Sequence, residues 1–371
     1  MLLDRLQKIE SVINQYGEDK FAISFSGGKD STVLSALVDL ALGPQNLIPR
    51  VYVNTGIELH MVRDFVFDMA KHDKRVEIIK PQVPIKPMLE KEGYPFKSKA
   101  HAHYVDRYNR LGMCDSIKSY LGEGKWGPKY CCPKSLKYQF TPEFKDRLKL
   151  SDACCLNMKE KPLIKWGIEH NRPISMVGVM RDEGGRRERA TCLAFEGGKL
   201  KRFQPLSVIT KEWEEWFIKE YKIEICPIYL PPYNRTRTGC VGCPFSLDLE
   251  NAEGTGELQM LEKFFPAERK QAEIIWGKVY DEYRRLGYRL KDEQKTNVWI
   301  RFDDIAAYNS FKKIFEQITS MIPQGESNCY IYLEKEHVYK PINIDPYYIA
   351  SLADKLAGTF GSENIALSSK S

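Results

Sequence analysis

No stretch of this 371-residue chain approaches the roughly 18 consecutive apolar residues that a membrane helix needs, so no membrane span is expected. The opening residues, MLLDRLQKIESV, lack the basic, apolar and cleavage-site succession of a secretory leader, and a cytoplasmic location is the expectation. There is no internal repeat, and only the final SSKS reads as a disordered tail. Blocks of like charge are absent too. The 56 Lys and Arg are interspersed with 50 Asp and Glu, and the net charge of +6 suits an anionic substrate such as a nucleotide while permitting nucleic acid. The glycine-rich loop SGGKDS at 26–31 matches neither of two familiar phosphate-binding patterns, GxxxxGK followed by Ser or Thr, and GxGxxG. It is therefore neither a Walker-type loop nor a dinucleotide fingerprint.

What the chain does have is cysteine. Ten cysteines in a reducing compartment are poor candidates for structural disulfides, which leaves metal ligation or thiol chemistry. With 43% hydrophobic residues the chain can bury one large core or two modest ones.

Leu3, Leu6, Ile9 and Ile13 recur at helical spacing before Gly17, which predicts an opening amphipathic helix. Phe21 to Phe25 then reads as a strand, SGGKDS at 26–31 as a tight polar loop, and residues 31–42 as a helix. Further strands are expected at 51–53, 76–79 and 174–179, with a helix around 61–70 and another at 211–221 capped by Thr210. Such alternation predicts an α/β fold with a doubly wound, mostly parallel sheet. Residues 1–250 are expected to form the nucleotide-binding domain, with a largely helical insertion at about 93–150. Residues 251–371 are expected to form a mainly helical extension that also holds short strand-like runs such as 329–333. Ile274, Ile275, Val279, Tyr283 and Leu286 trace a helical stripe there.

The loop SGGKDS sits directly after a strand and before a helix. Gly27 and Gly28 let the backbone approach phosphate oxygens, Ser26 and Ser31 offer hydroxyls, and the helix N-terminus aims amides at an anion. Lys29 adds a mobile positive charge, and Asp30 could orient it or help hold Mg2+. With these six residues the chain resembles the PP-loop superfamily of ATP pyrophosphatases, which cleave ATP between the α- and β-phosphates and often adenylate a substrate. Asn54, Thr55 and Gly56 end the second strand, where the family frames its nucleotide, although Asp is more common there than Asn54.

The tandem pair Cys154-Cys155 and the Cys240-Val-Gly-Cys243 motif together supply four thiolates, the number that a 4Fe–4S cluster or a closed zinc site needs. A rival pair, Cys131-Cys132, could replace or supplement the first. The order CC-xx-MKEKPL, GVMRDEGGRR, PLSVITKEWEEWFIKEY, CVGC is similar to the adenylylsulfate reductases and their phosphoadenylylsulfate relatives, over roughly residues 20–250. That resemblance implies that Cys154, Cys155, Cys240 and Cys243 hold a 4Fe–4S cluster. It also makes Arg181 and Arg187 candidates for bidentate contacts to a phosphate or sulfate, with Asp182 and Glu183 positioning those arginines or binding a metal. The family usually has a small polar residue at Gly184. His101 and His103, with no third ligand in sight, and Trp213 and Trp216 are read as ordinary polar and packing residues.

The reductases generally attack sulfur with a cysteine in an ECGLH-like tail. Here Cys329 lies in ESNCYIY and the last residues are NIALSSKS. The reductases also tend to have a degraded phosphate loop, whereas SGGKDS is intact. The expectation is therefore an ATP pyrophosphatase or adenylating enzyme acting in sulfur transfer, similar to the ATP pyrophosphatase of DNA phosphorothioation systems. A 4Fe–4S cluster, ATP and Mg2+ would be its cofactors. A nucleic-acid acceptor and a cysteine desulfurase or other sulfur donor are the partners this resemblance implies. Sulfonucleotide reduction is the alternative, and a redox-sensing nucleotide-binding regulator a third.

Overall fold

The computed structural model describes residues 1–124, 131–183, 185–247, 255–286, 290, 297–302, 309, 329–333, 338–342 and 365–370. Helix α1 (Leu2–Tyr16) ends at Gly17, and β1 (Phe21–Phe25) follows. The phosphate loop leads into α2 (Lys29–Leu42), then β2 (Arg50–Val53), α3 (His60–His72) and β3 (Val76–Ile79). Next come α4 (Ile85–Glu92), α5 (Lys99–Leu111), α6 (Asp115–Lys118) and α7 (Pro142–Arg147). Helix α8 (Ala153–Cys155) runs through a π-helical turn at Leu156–Glu160 into α9 (Lys161–Glu169). The chain returns to the sheet with β4 (Ile174–Met176), β5 (Leu193–Glu196) and β6 (Lys199–Phe203), followed by α10 (Lys211–Glu220).

These strands form one sheet in the order β3-β2-β1-β4-β6-β5, in which only β5 is antiparallel to its neighbour. The expected doubly wound α/β sheet is present. The short strands β1 and β2 are almost wholly buried, as strands covered on both faces must be. Strand order reverses beside β1, between β2 and β4, so the crevice at their carboxyl ends is where an open α/β sheet binds its ligand. At the opposite ends of the strands, buried Arg50 pairs with Asp39 of α2, which also receives Arg75. That network fixes α2 against the sheet.

Two large apolar cores result. One lies under the sheet and contains Ile9, Phe21, Leu34, Phe203 and Phe217. The other joins Phe96, Val105, Leu136 and Phe144 of the inserted segment to α11 (Glu257–Phe264) and α12 (Pro266–Leu286). The boundary expected at 250 falls within the sequence span of this second core. Its helical stripe differs from the expected one at a single residue. Ile275, Val279, Tyr283 and Leu286 are buried with Trp276 and Tyr280, but Ile274 is 65% exposed because it sits one position off the buried face.

Three other elements depart from the sequence reading. The strand expected at 174–179 stops at Met176, since Val177 to Met180 turn out to line a cavity. The hairpin β5–β6 was not foreseen, although Gly197-Gly198, both at positive φ, is the pair a tight hairpin turn favours. Of the SSKS run, Ser371 lies outside the described residues and Ser368 to Lys370 are strand: β7 (Asn297–Phe302), β8 (Cys329–Leu333), β9 (Val338–Ile342) and β10 (Ile365–Lys370) form a second sheet in the order β10-β7-β8-β9. Backbone pairing orders the polar Ser368, Ser369 and Lys370 against Trp299, Val298 and Asn297, which composition alone does not show.

Gly178 shows how tightly the sheet and the phosphate loop are joined. A Cβ there would lie 2.7 Å from the Asp30 carbonyl oxygen and 3.1 Å from the Ser31 nitrogen, both main-chain atoms that cannot swing aside. Gly178→Ala should cost about 1–3 kcal/mol, the usual range for overpacking. Denaturant unfolding should show the loss, and unchanged stability would mean that the loop is free to shift.

Candidate functional site

The phosphate loop is built by glycine geometry. Gly27 has φ of +69° and no room for a Cβ, which would sit 2.7 Å from Val66. Ser31 Oγ donates to the Gly28 carbonyl at 2.8 Å and lies 3.1 Å from Ser26 Oγ, so the hydroxyls brace the turn from within. Over Gly28 sit Thr238 and Tyr229, whose atoms a Cβ at Gly28 would meet at 2.8 and 3.1 Å. Burial raises the Tyr229 phenol to about 12, so it stays a hydroxyl, bonded to Thr238 and to the Lys29 backbone.

Lys29 is ion-paired with Asp30 at 3.0 Å and with Glu214 of α10, a carboxylate that is fully buried. Burial works to lower the Lys29 pKa, but Asp30 and Glu214 outweigh it and the result lies above the ordinary value. For Glu214, burial and then the Asp30 charge raise the pKa to about 7, against the pull of Lys29.

A cavity of about 510 Å³ opens from this loop. Ser26, Gly28, Lys29, Asp30 and Ser31 line one end, Val177 to Met180 a side, Thr236 to Gly239 a wall that reaches Gly28 at Thr238, and Lys159 and Glu58 the far end. Arg187, Lys211 and Arg237 add positive charge around it. The residues of the Asn54-Thr55-Gly56 turn are placed differently. Asn54 and Gly56 line a separate polar depression with His60, Arg63 and Gln271, the Asn54 side chain accepts from Gly56 N at 3.1 Å, and Thr55 donates to Glu58.

The segment 180–189 divides in the same way. Arg187 lines the cavity. Arg181 instead donates to the Ala190 carbonyl at 2.6 Å, and Asp182 accepts from Lys211 N at 3.1 Å at the start of α10. The Glu183 side chain and Gly184 lie outside the described residues.

Beyond the far end of the cavity lie the cysteines. Cys154 feels the charges of Cys155, Cys243 and Cys240, Cys243 those of Cys240 and Cys155, and Cys240 that of Cys155, while Lys159 faces Cys240, Glu58, Cys155 and Cys243. Among the described residues no three Cys, His, Asp or Glu side chains converge as closely as a single bound metal ion requires. Burial raises the Cys240 and Cys243 thiols. Cys154 is raised, first because it donates to Cys155 and then by burial, while Cys155 is lowered to about 6 by that hydrogen bond, against burial, with help from Lys99 and Lys159. The rival pair is elsewhere: Cys132 faces Lys137, Lys97 and Cys131, and is raised to about 12 by burial.

The CVGC loop is held by the second core. Val241 N donates to the Ile57 carbonyl at 2.7 Å, and Glu58 bridges Cys240 in antiparallel fashion. From α12, Trp276 donates to the Val241 carbonyl at 2.8 Å and Tyr280 to that of Gly242, while Glu257 of α11 accepts from Gly242 N and pairs with Arg235. Gly242 has φ of +58°, and a Cβ there would meet the Tyr280 hydroxyl at 2.4 Å and Ala272 at 2.7 Å.

Sequence reasoning missed Glu214, Tyr229, Lys159 and Glu58. Lys159 stands four residues after Cys155 in the quoted CC-xx-MKEKPL run, so one helical turn carries it back toward the thiols. The other three left no such trace. Of the histidines, His101 is buried and bonded to Tyr120 at 2.9 Å and Gln139 at 2.6 Å, whereas His103 is half-buried and 3.5 Å from Asp152. Trp213 packs into the core under the sheet, but Trp216 is 45% exposed.

The signature of the phosphoadenosine phosphosulfate reductase domain matches residues 20–126 and 130–246, more than half of the chain. The chain belongs to that family. An uncharacterised protein of Methanocaldococcus jannaschii is 31% identical over 138 residues, covering 32% of this chain and 33% of that protein, so the match spans about a third of the relative's length. Among solved structures, this family member is similar to the phosphoadenylyl-sulfate reductase of Candida auris in its phosphate complex, with TM-score 0.32, 11% identity and coverage of 60% and 88%. It is also similar to the U34-tRNA thiolase NcsA of Methanococcus maripaludis with its 4Fe–4S cluster, with TM-score 0.30, 17% identity and coverage of 74% and 78%. Likenesses this distant carry no argument about activity.

The lowered Cys155 pKa gives a test in metal-free protein. Thiolate is the reactive form, so Cys155 alkylation by iodoacetamide should rise through pH 6 and level off by neutrality, with Cys154, Cys240 and Cys243 lagging far behind. Peptide mass mapping would read the order, and equal rates at the four thiols would contradict this electrostatic description.

Proposed function

We propose that this chain is an ATP-consuming adenylating enzyme of the PP-loop type whose four clustered cysteines hold a 4Fe–4S cluster used in sulfur transfer. The observation that carries this reading is the single cavity running from the intact SGGKDS loop to Lys159, which stands among Cys155, Cys240 and Cys243. The loop amides and Lys29 suit the β- and γ-phosphates of a triphosphate, and Asp30 offers a carboxylate for Mg2+ held mainly by those phosphates. An acceptor oxygen would attack the α-phosphorus while the bond to the β-phosphate breaks, and pyrophosphate would leave with its charge met by Lys29 and the loop. Arg187, Lys211 and Arg237 would orient the rest of an anionic acceptor, for which a nucleic acid is one chemistry that fits.

The donor set suits the cluster: four cysteines from two segments lie within electrostatic reach of one another in a half-buried to buried region, and Lys159 and Lys99 supply the counter-charge. When bound, such a cluster supplies a redox-active or sulfur-carrying centre. Family membership keeps sulfonucleotide reduction as a second reading.

Anaerobically purified protein should contain about four irons per chain, lost in Cys240→Ser and in Cys154→Ala but kept in Cys131→Ala and Cys132→Ala. Stoichiometric zinc without iron would overturn the cluster. AMP and pyrophosphate should form from ATP in the presence of an acceptor, and Lys29→Ala should lower that rate on the order of a hundredfold or more while keeping the iron. Sulfite release from adenylylsulfate or phosphoadenylylsulfate, dependent on Arg187 and indifferent to ATP, would replace this reading with the reductase one.

A further inference from the structure

Glu214 is a carboxylate with no exposed surface, on a helix whose other acidic residues face outward or toward the cavity. One of its oxygens accepts from Lys29, and the other, Oε1, is buried with no hydrogen-bond partner. Nothing in the sequence marks it out from Glu212 or Glu215. Yet it reaches the one side chain of the phosphate loop that carries a positive charge.

The helix that carries it is fixed at several points. Thr210 caps α10 by accepting from Trp213 N, Asp182 accepts from Lys211 N at the same end, and Phe217 is buried while stacking between Trp213 and Tyr221. The carboxylate therefore cannot follow the lysine outward. Lys29, by contrast, is still partly exposed and lines the cavity. Its four-carbon stem lets it turn from Glu214 to an anion in that cavity, and Asp30 sits on the same loop to accompany it.

We propose that Glu214 is a positioning residue that holds Lys29 back from the phosphate positions until a nucleoside triphosphate competes for it. The proposal rests on the ATP reading above and deepens it. Binding a triphosphate must then break the Lys29–Glu214 pair, and the affinity seen is the intrinsic one reduced by the fraction of molecules in which the lysine is free. The raised Glu214 pKa agrees with this arrangement: a buried carboxylate that has lost its cation tends to take up a proton instead of staying charged. After pyrophosphate departs, the same carboxylate takes the lysine back, which favours release of that product.

The test is a double-mutant cycle on Mg-ATP binding, read by calorimetry on the cluster-loaded full chain for the wild type, Glu214→Gln, Lys29→Ala and the double variant. Glu214→Gln keeps the shape and removes the charge. It should tighten ATP by about fivefold or more, the lower end of coupling between linked sites. In the Lys29→Ala background the same change should leave ATP affinity unaltered, because the competing pair is already gone. A merely structural glutamate would give the same effect with or without Lys29. Unchanged or weakened ATP binding in Glu214→Gln, or equal effects in both backgrounds, would overturn the proposal while leaving the ATP reading intact. Absence of any ATP binding by the wild type would instead remove the ATP reading and this inference with it. Should Glu214→Gln fail to fold, Glu214→Met fills the same buried space without charge and gives the same comparison.

Discussion

One backbone bridge, Glu58 to Cys240 with Val241 donating to the Ile57 carbonyl, makes a single site out of two sequence-distant motifs. Ile57 and Glu58 follow β2 after the Asn54-Thr55-Gly56 turn, so the CVGC loop is tied to the carboxyl edge of the sheet on which the phosphate loop also sits. Without that bridge the cysteines would belong to the helical half alone. With it, Thr236 to Gly239 form a wall of the cavity, and Thr238 presses on Gly28. The inserted segment and α11–α12 then make mechanical sense. Their shared core places Trp276, Tyr280 and Glu257 where they hold the Val241–Gly242 backbone from the other side.

Each end of the cavity places a lysine beside buried groups that form, or can form, anions. Lys29 faces Asp30 and Glu214, and Lys159 faces Glu58 and the thiols. A buried cation costs far less when a carboxylate or thiolate accompanies it, and each arrangement raises its lysine's pKa where burial alone would lower it. The two lysines differ in freedom. Lys159 lies within a helical run one turn from Cys155, whereas Lys29 starts a helix at the mouth of a glycine turn and can reach into open space. Such a division suits a cavity in which one end receives an incoming anion and the other keeps a fixed charge environment.

Much of this was legible in the sequence, and the parts that were not share a cause. Periodicity and the strand–loop–helix order give the sheet and the phosphate loop, because both follow from local spacing. Proximity of Cys154-Cys155 to Cys240 and Cys243 was foreseeable only through family resemblance, since more than eighty residues separate the two pairs. Glu214 and Tyr229 were out of reach: nothing local distinguishes a buried partner of Lys29 from a solvated glutamate on an amphipathic helix. The hairpin at Gly197-Gly198 had a signal, in that two glycines joined two strand-like runs.

The arginine-rich segment illustrates the same limit from the opposite side. MRDEGGRRER looks like a uniform anion reader, yet Arg181 and Asp182 are used on the protein's own backbone, closing the loop onto Ala190 and the start of α10. That use is not wasted on structure alone. Asp182 anchors the N-terminus of the helix that bears Glu214, and the loop that Arg181 closes carries Arg187 to the cavity wall. The charges of Arg181 and Asp182 act here to set the places of two groups facing the phosphate loop. A segment rich in one chemistry can therefore serve a site through a single member, with its neighbours fixing where that member stands.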